Sequence, residues 1–169
     1  MLWLTPPVGN RRPPRVRARV AGKNHMQIIT PEFIETVIRS GKLGRARDRV
    51  QNGTARPSPK ATPGAFSAWS LVCEEILDTE HDDDWYDTIW TELTRRGFTT
   101  KQIESMRRFA WRHAGWLNYD RMLWEWVNLD ENDIKIALEL QLKDGVISQQ
   151  QFDEGMAMLD HPKGLPEPM

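Results

Sequence analysis

Apolar residues recur at intervals of three and four along most of the chain beyond residue 65. Between residues 82 and 97, Tyr86, Ile89, Trp90 and Leu93 follow this spacing. It places their side chains on one face of a helix, where they can pack against a core. No stretch of any length alternates apolar and polar residues as a strand does. The pattern therefore predicts an all-α fold, a compact bundle of about six helices.

Residues that start and stop helices divide the chain at definite points. Thr30 can cap a first helix that begins at Pro31, and Thr99 with Gln102 forms a capping box. The predicted helices cover residues 30–40, 66–77, 82–96, 99–114, 119–127, 130–144 and 148–161.

Glycines follow three of these helices. We expect Gly97, Gly115 and Gly145 to adopt positive φ and to end the helices before them. A glycine stop brings the next residue back against the preceding turn, so Trp116 should contact Trp111. On this interpretation the two tryptophans are part of a helix end and not of a binding site.

Charge and composition divide the chain into segments. Residues 1–60 carry 13 Lys and Arg against three Asp and Glu, whereas residues 61–169 carry 10 against 21. Pro and Arg dominate residues 1–29, which we expect to be a disordered basic tail, and Met26 is a possible true start of translation. The predicted segments are the tail, a short helix at 30–41, a flexible basic linker at 42–64, the helical domain at 65–160 and a disordered C-terminus at 161–169.

Several classes of protein are disfavoured by the residues present. Cys73 is the single cysteine, which suits a cytoplasmic location, and neither a signal peptide nor a membrane-spanning run is recognisable. The run HDDD at His81–Asp84 is explained by helix capping better than by a metal site, and His113 lies on an apolar helix face, where we expect a bond to a backbone carbonyl. No catalytic residue, metal site or cofactor is therefore predicted.

Apolar residues outside the core stripes mark a candidate interface. Trp124 lies about 140° around its predicted helix from Tyr119. On the following helix Ile136 and Leu140 lie away from the stripe of inward residues. We expect Trp124, Ile136 and Leu140 to contact a protein partner or a second copy of the chain, or to be covered by the first helix.

A cationic stretch supports an alternative, which is binding to nucleic acid. The sequence around Gly97 resembles a helix-turn-helix DNA reader, although Leu93 and Arg96 replace its usual small and apolar residues. The basic N-terminal arm would add nonspecific affinity. The residues expected to contact phosphates are Lys101, Arg107, Arg108 and Arg112.

A family resemblance covers the C-terminal part of the chain. Leu142, Gly145, Val146-Ile147, the Ser148 cap and the later Phe152 and Leu159 resemble the SHOCT, or short C-terminal domain, family of bacterial proteins. The resemblance spans residues 134–159 and departs from the family pattern at Gln149–Gln151 and at Gly155-Met156. It implies a helical hairpin with a role in association. With the composition, it favours a non-enzymatic interaction or assembly module.

Overall fold

The computed structural model describes residues 27–77, 79, 81–122 and 128–164. Within these residues the chain is all-helical, with no strand, which confirms the predicted fold class. The elements are α1 (Pro31–Ser40), α2 (Lys42–Gln51), α3 (Ala68–Cys73), α4 (Asp83–Arg95), α5 (Thr100–Ala110), a π-helix (Trp111–Asp120), α6 (Glu131–Lys143) and α7 (Gln149–Asp160).

Helix α5 lies in the middle of the fold. It packs against α1 on one side and α3 on another, and it continues directly into the π-helix. Ile103, Met106 and Ala110 are fully buried on its inner face. The predicted stripes on α4 and α6 are confirmed, because the buried residues include Tyr86, Ile89, Trp90 and Leu93 on α4 and Ile134, Ala137, Leu138 and Gln141 on α6.

A buried ion pair joins α5 to the turn that follows α3. Arg107 is completely enclosed, and its Nε donates to Oε1 of Glu75 at 2.6 Å while Nη2 donates to Oε2 at 3.1 Å. The same guanidinium donates to the carbonyl oxygens of Val37 and Ile38 at the C-terminal end of α1. These carbonyls lie in the last turn of a helix, where few backbone donors remain, although that of Val37 also accepts from the N–H of Gly41 at 2.7 Å.

The carboxylate of Glu75 has further donors. The backbone N–H of Leu43 in the first turn of α2 donates to Oε2 at 3.1 Å, and the indole Nε1 of Trp111 donates to Oε1 at 3.2 Å. One ion pair thus satisfies the end of α1 and the start of α2. Both charges are fully hydrogen-bonded, as burial requires.

The segment predicted as a flexible linker is ordered. Residues 42–51 form α2, so the linker prediction is wrong there. Leu43 and Ala46 are buried and Val50 packs against the core, a helical spacing that the surrounding arginines obscure in the sequence. The carboxylate of Asp87 on α4 accepts hydrogen bonds from the guanidinium of Arg49 and from the backbone N–H of Arg56.

The capping predictions hold at most helix ends. Thr30, Thr99, Asp130 and Ser148 accept bonds from the backbone of the first turns that follow them. Gly97 and Gly145 have φ values of +85° and +71°, as predicted for glycine stops. At Gly145 the backbone bonds are those of a Schellman motif, with Gly145 N–H to Leu142 and Val146 N–H to Gln141.

The prediction for Gly115 is wrong. Gly115 lies inside the π-helix and has no positive φ, so the helix does not end there and no stop brings Trp116 back onto Trp111. Trp111 instead stacks on Tyr119, with ring centroids 6.1 Å apart and planes 16° from parallel. A Cβ on Gly115 would lie 2.8 Å from Cε3 of Trp111. The glycine therefore makes room for an indole, which is a different role from ending a helix.

Two other predicted helices differ from the structure. Asn118 lies buried within the π-helix and does not cap a helix, while residues 123–127 of the predicted helix 119–127 lie outside the described residues. Helix α3 is shorter than predicted, because Ser67 caps it at Ala68 and turns replace the helix after Cys73. Those turns allow Glu75 to face Arg107.

The ordered part of the chain extends beyond the predicted boundaries at both ends. Ile29 is buried and belongs to the core. Lys163 donates to the carbonyl of Arg96 at 2.8 Å and lies over the ring of Phe98. Residues 27–29 and 161–164 therefore pack on the bundle, while the rest of the predicted tails, residues 1–26 and 165–169, lie outside the described residues.

Removing one partner of the buried pair should strongly destabilise the fold. Glu75→Ala leaves the Arg107 charge enclosed without a counter-ion, and we expect it to lower the free energy of unfolding by about 3–5 kcal/mol. Arg108→Ala, which breaks a more exposed pair with Glu35, is the control and should cost several times less. Equal losses in chemical denaturation would contradict the central role of Arg107 and Glu75.

The substitution Gly115→Ala should also destabilise the protein, by about 1–3 kcal/mol, because overpacking forces neighbours to shift. The methyl group would meet the indole of Trp111, which Glu75 and Tyr119 hold in place. Thermal unfolding together with tryptophan near-UV dichroism measures both consequences. An unchanged spectrum and midpoint would show that the indole is free to move.

Candidate interaction surface

Asp120, at the end of the π-helix, fixes the N-terminal side of α1. Its Oδ1 accepts from the backbone N–H of Ile28 at 2.6 Å and its Oδ2 from that of Ile29 at 3.0 Å. Gln27, Trp116, Asp120 and Val146 together line a shallow groove next to this anchor. Three separate parts of the chain therefore meet here: the segment before α1, the π-helix and the turn between α6 and α7.

Large apolar side chains are exposed around this groove. Ile28, Met122 and Val146 are 47%, 52% and 53% exposed. Ile28 is held by Asp120, Met122 follows it by two residues, and Val146 shares the groove with it. Met122 also has φ of +58°, an uncommon conformation for a residue with a side chain. We call this region, made of Ile28, Trp116, Met122, Leu140 and Val146, the Trp116 surface.

Charges of both signs border the Trp116 surface. The guanidinium of Arg121 lies over the ring of Trp116, 5.8 Å from its centroid. Arg121 also pairs with Asp144 at 3.5 Å across the gap between the π-helix and the end of α6. The apolar groups are thus bordered by an exposed ion pair, an arrangement common at the rims of protein interfaces.

Of the three residues predicted for the interface, Leu140 belongs to the Trp116 surface and Ile136 lies next to it on α6. Leu140 is partly buried against the cluster of Trp116, Leu117 and Ala137. Ile136, one turn earlier on the same face of α6, is 45% exposed. Trp124 lies outside the described residues. Helix α1 packs mainly on α2, α5 and the π-helix, so α6 is not among its main partners.

Sequence reasoning missed Ile28, Asp120 and Val146 as parts of this region. Val146 was expected to pack against the end of α6 because it follows the stop at Gly145. Its backbone does make the expected bond, but its side chain remains exposed. Nothing in the local sequence of Asp120 indicates that it binds residues about 90 positions earlier.

The predicted cationic cluster is not a single surface. Arg107 is buried with Glu75, so the prediction that it contacts phosphate is wrong. Arg108 is paired with Glu35 through two hydrogen bonds of 2.8 and 3.2 Å, and this guanidinium lowers the pKa of Glu35. Lys101 and Arg112 are exposed. Since α1 and α3 cover two sides of α5, only a narrow face of this helix remains for a ligand.

Other ionisable side chains that the sequence singles out, Cys73, His81 and Asp83, are buried or have charged partners. Cys73 is buried, and burial raises the pKa of its thiol well above the ordinary value, as expected for a small core residue. His81 contacts Glu74 at 3.5 Å and Asp83 pairs with Arg49. In the described part of the chain, no three His, Cys, Asp or Glu side chains converge as metal ligands would.

His113 is a core residue, but its hydrogen-bond partner differs from the predicted backbone carbonyl. Its Nδ1 lies against Oε1 of Gln141, whose Nε2 donates to the carbonyl of Arg112 at 3.1 Å. That second bond orients the amide, so Oε1 accepts a hydrogen bond that Nδ1–H donates. Burial lowers the pKa of His113 to about 4, which keeps the ring neutral near pH 7.

Comparisons of the chain with family models, curated proteins and solved structures give no match. The resemblance of residues 134–159 to the SHOCT family therefore rests on the residues quoted above. Among the described helices, none is long and apolar enough to cross a membrane.

The buried neutral ring of His113 should make stability depend on pH. Its pKa is about 4 in the folded chain and about 6.5 when unfolded, so the unfolded chain binds the proton first as the pH falls. The contribution of the neutral ring to the free energy of unfolding is complete above about pH 6.5. It decreases as the pH falls towards 4, by up to about 1.4 kcal/mol per pH unit. Urea unfolding of wild type and His113→Gln over this range isolates the effect. Parallel pH profiles, or a ring that titrates near 6.5 by NMR, would contradict it.

Proposed function

We propose that this protein is a non-enzymatic assembly module that binds a second copy of itself through the Trp116 surface. The observation that carries the proposal is the exposure of three large apolar side chains: Val146, which lines the groove at Trp116, Ile28, whose N–H binds Asp120 in that groove, and Met122, two residues after Asp120. Burying one such side chain contributes about 1.5–3 kcal/mol, so the cluster favours association with another apolar surface. Ile136, 45% exposed and one turn before Leu140, extends the same region along α6.

The charges at the rim support a second copy as the partner. Arg121 and Asp144 carry opposite charges and lie next to each other. In a twofold dimer the same patch meets itself, so each arginine can face the other copy's aspartate. A mixed rim of this kind avoids repulsion between identical surfaces. The lone buried Cys73 is consistent with a cytoplasmic location for such an assembly, which is part of the proposal.

Binding to nucleic acid has less support as a function. Of the four cations predicted for phosphate contacts, Arg107 is enclosed and Arg108 has a carboxylate partner. The exposed Lys101 and Arg112 are few compared with the contacts that produce strong, salt-dependent binding. Titration of duplex DNA at two salt concentrations, with Lys101→Ala and Arg112→Ala as variants, tests this alternative directly.

Sedimentation velocity over a range of protein concentrations tests the assembly proposal. The wild type should sediment as a dimer, and Ile136→Glu with Val146→Glu should convert it to a monomer with the same helix content by circular dichroism. The physical reason is that each carboxylate would be placed against an apolar surface without a counter-ion. We expect the dissociation constant of the dimer to rise by at least about 100-fold, equivalent to about 3 kcal/mol.

A matched control adds the same number of charges elsewhere. Ser105→Glu with Gln149→Glu changes two exposed polar residues on α5 and α7, and the dimer should survive it. A wild-type protein that stays monomeric at high concentration contradicts self-association. Equal loss of the dimer in both double variants would show that net charge, and not the Trp116 surface, controls assembly.

A further inference from the structure

A second cavity lies between α5, the start of the π-helix and α7, on residues that the Trp116 surface does not use. It has a volume of about 230 Å³. Phe109, Ile147 and Met158 form apolar walls, and Arg112 and Glu154 lie at its edge. His113 also lines it, with the edge of the Phe109 ring against the imidazole at a centroid distance of 4.5 Å. We call this cavity the His113 cleft.

The imidazole of His113 presents an unused acceptor to the His113 cleft. Oε1 of Gln141 accepts a hydrogen bond from Nδ1–H, so the ring proton is on Nδ1 and Nε2 carries a lone pair. In the described part of the chain, the fully enclosed side-chain atoms without a partner are the hydroxyls of Thr79 and Tyr86. Nε2 is not one of them, although His113 is only 5% exposed. Its access to solvent is therefore through the cleft that it lines.

The edge of the cleft carries one charge of each sign. Arg112 is exposed and has no ion pair within the described residues. Glu154 accepts a hydrogen bond from Gln150 at 2.9 Å and keeps its second carboxylate oxygen for another donor. A ligand with only a carboxylate would be repelled by Glu154, and a ligand with only an ammonium would be repelled by Arg112. A ligand that carries both groups satisfies both residues.

We propose that the His113 cleft binds a small zwitterion, an α-amino acid with an apolar side chain. Its ammonium group donates to Nε2 of His113 and to Glu154, and its carboxylate accepts from Arg112. The apolar side chain lies among Phe109, Ile147 and Met158, whose surface is otherwise open to water. This site is independent of the Trp116 surface and of the proposed assembly.

Three matched probes test the site on the full chain. L-leucine carries both charged groups, isoamylamine lacks the carboxylate and 4-methylpentanoate lacks the ammonium. The readouts are isothermal titration calorimetry and the ¹⁵N shift of Nε2 in His113. Leucine should bind most tightly and shift Nε2, isoamylamine should shift Nε2 but bind more weakly, and 4-methylpentanoate should leave Nε2 unshifted.

Variants of the exposed Arg112 and Glu154 and of the partly buried Met158 separate the three contacts. Arg112→Gln should weaken the binding of leucine by about tenfold or more, because a charge-assisted hydrogen bond is lost, and should not weaken the binding of isoamylamine, which Arg112 repels. Glu154→Gln should weaken the binding of both leucine and isoamylamine. Met158→Trp should abolish the binding of all ligands, because the indole fills the cleft. Lys101→Gln, outside the cleft, is the control and should leave binding unchanged. The proposal is overturned if millimolar leucine gives neither heat nor a shift of Nε2, or if Met158→Trp binds like the wild type.

Discussion

The ion pair between Arg107 and Glu75 is the interaction on which the rest of the fold depends. Helices α1 and α2 are joined by a single glycine, so the end of one and the start of the other point into the same small space. The carbonyls at the end of α1 need hydrogen-bond donors, and the N–H groups at the start of α2 need acceptors. A guanidinium that binds the carbonyls and a carboxylate that binds an N–H meet this need together.

Long-range charge pairing also explains why the two differently charged parts of the sequence form one body. Arg47 and Arg49 of the basic half bind Glu104 and Asp87 of the acidic half. Asp87 is buried, whereas Glu104 is partly exposed, and ion pairs at exposed positions stabilise a fold only weakly, by about 0–1 kcal/mol. Their effect is mainly on position, because they hold α2 against α4 and α5 while buried Leu43 and Ala46 provide the hydrophobic contact.

Local sequence signals predicted those parts of the fold that depend on local chemistry. The cap at Thr99 and the positive φ of Gly145 follow from a few adjacent residues, and the apolar stripes of α4 and α6 follow from spacing alone. The same logic failed for α2, where three apolar residues are outnumbered by charges, and for Gly115, whose role depends on the indole of Trp111. The candidate surface was predicted only in part, because Ile136 and Leu140 share a helix whereas Ile28 and Val146 meet through Asp120.

The two backbone bonds of Asp120 also decide where the preceding chain leaves the bundle. With Ile28 and Ile29 held at the end of the π-helix, residues 1–26 are attached at the border of the Trp116 surface. That segment carries six Lys and Arg and no Asp or Glu. These two hydrogen bonds therefore fix where the basic segment joins the described part of the chain, at Gln27, which itself lines the groove with Trp116 and Val146.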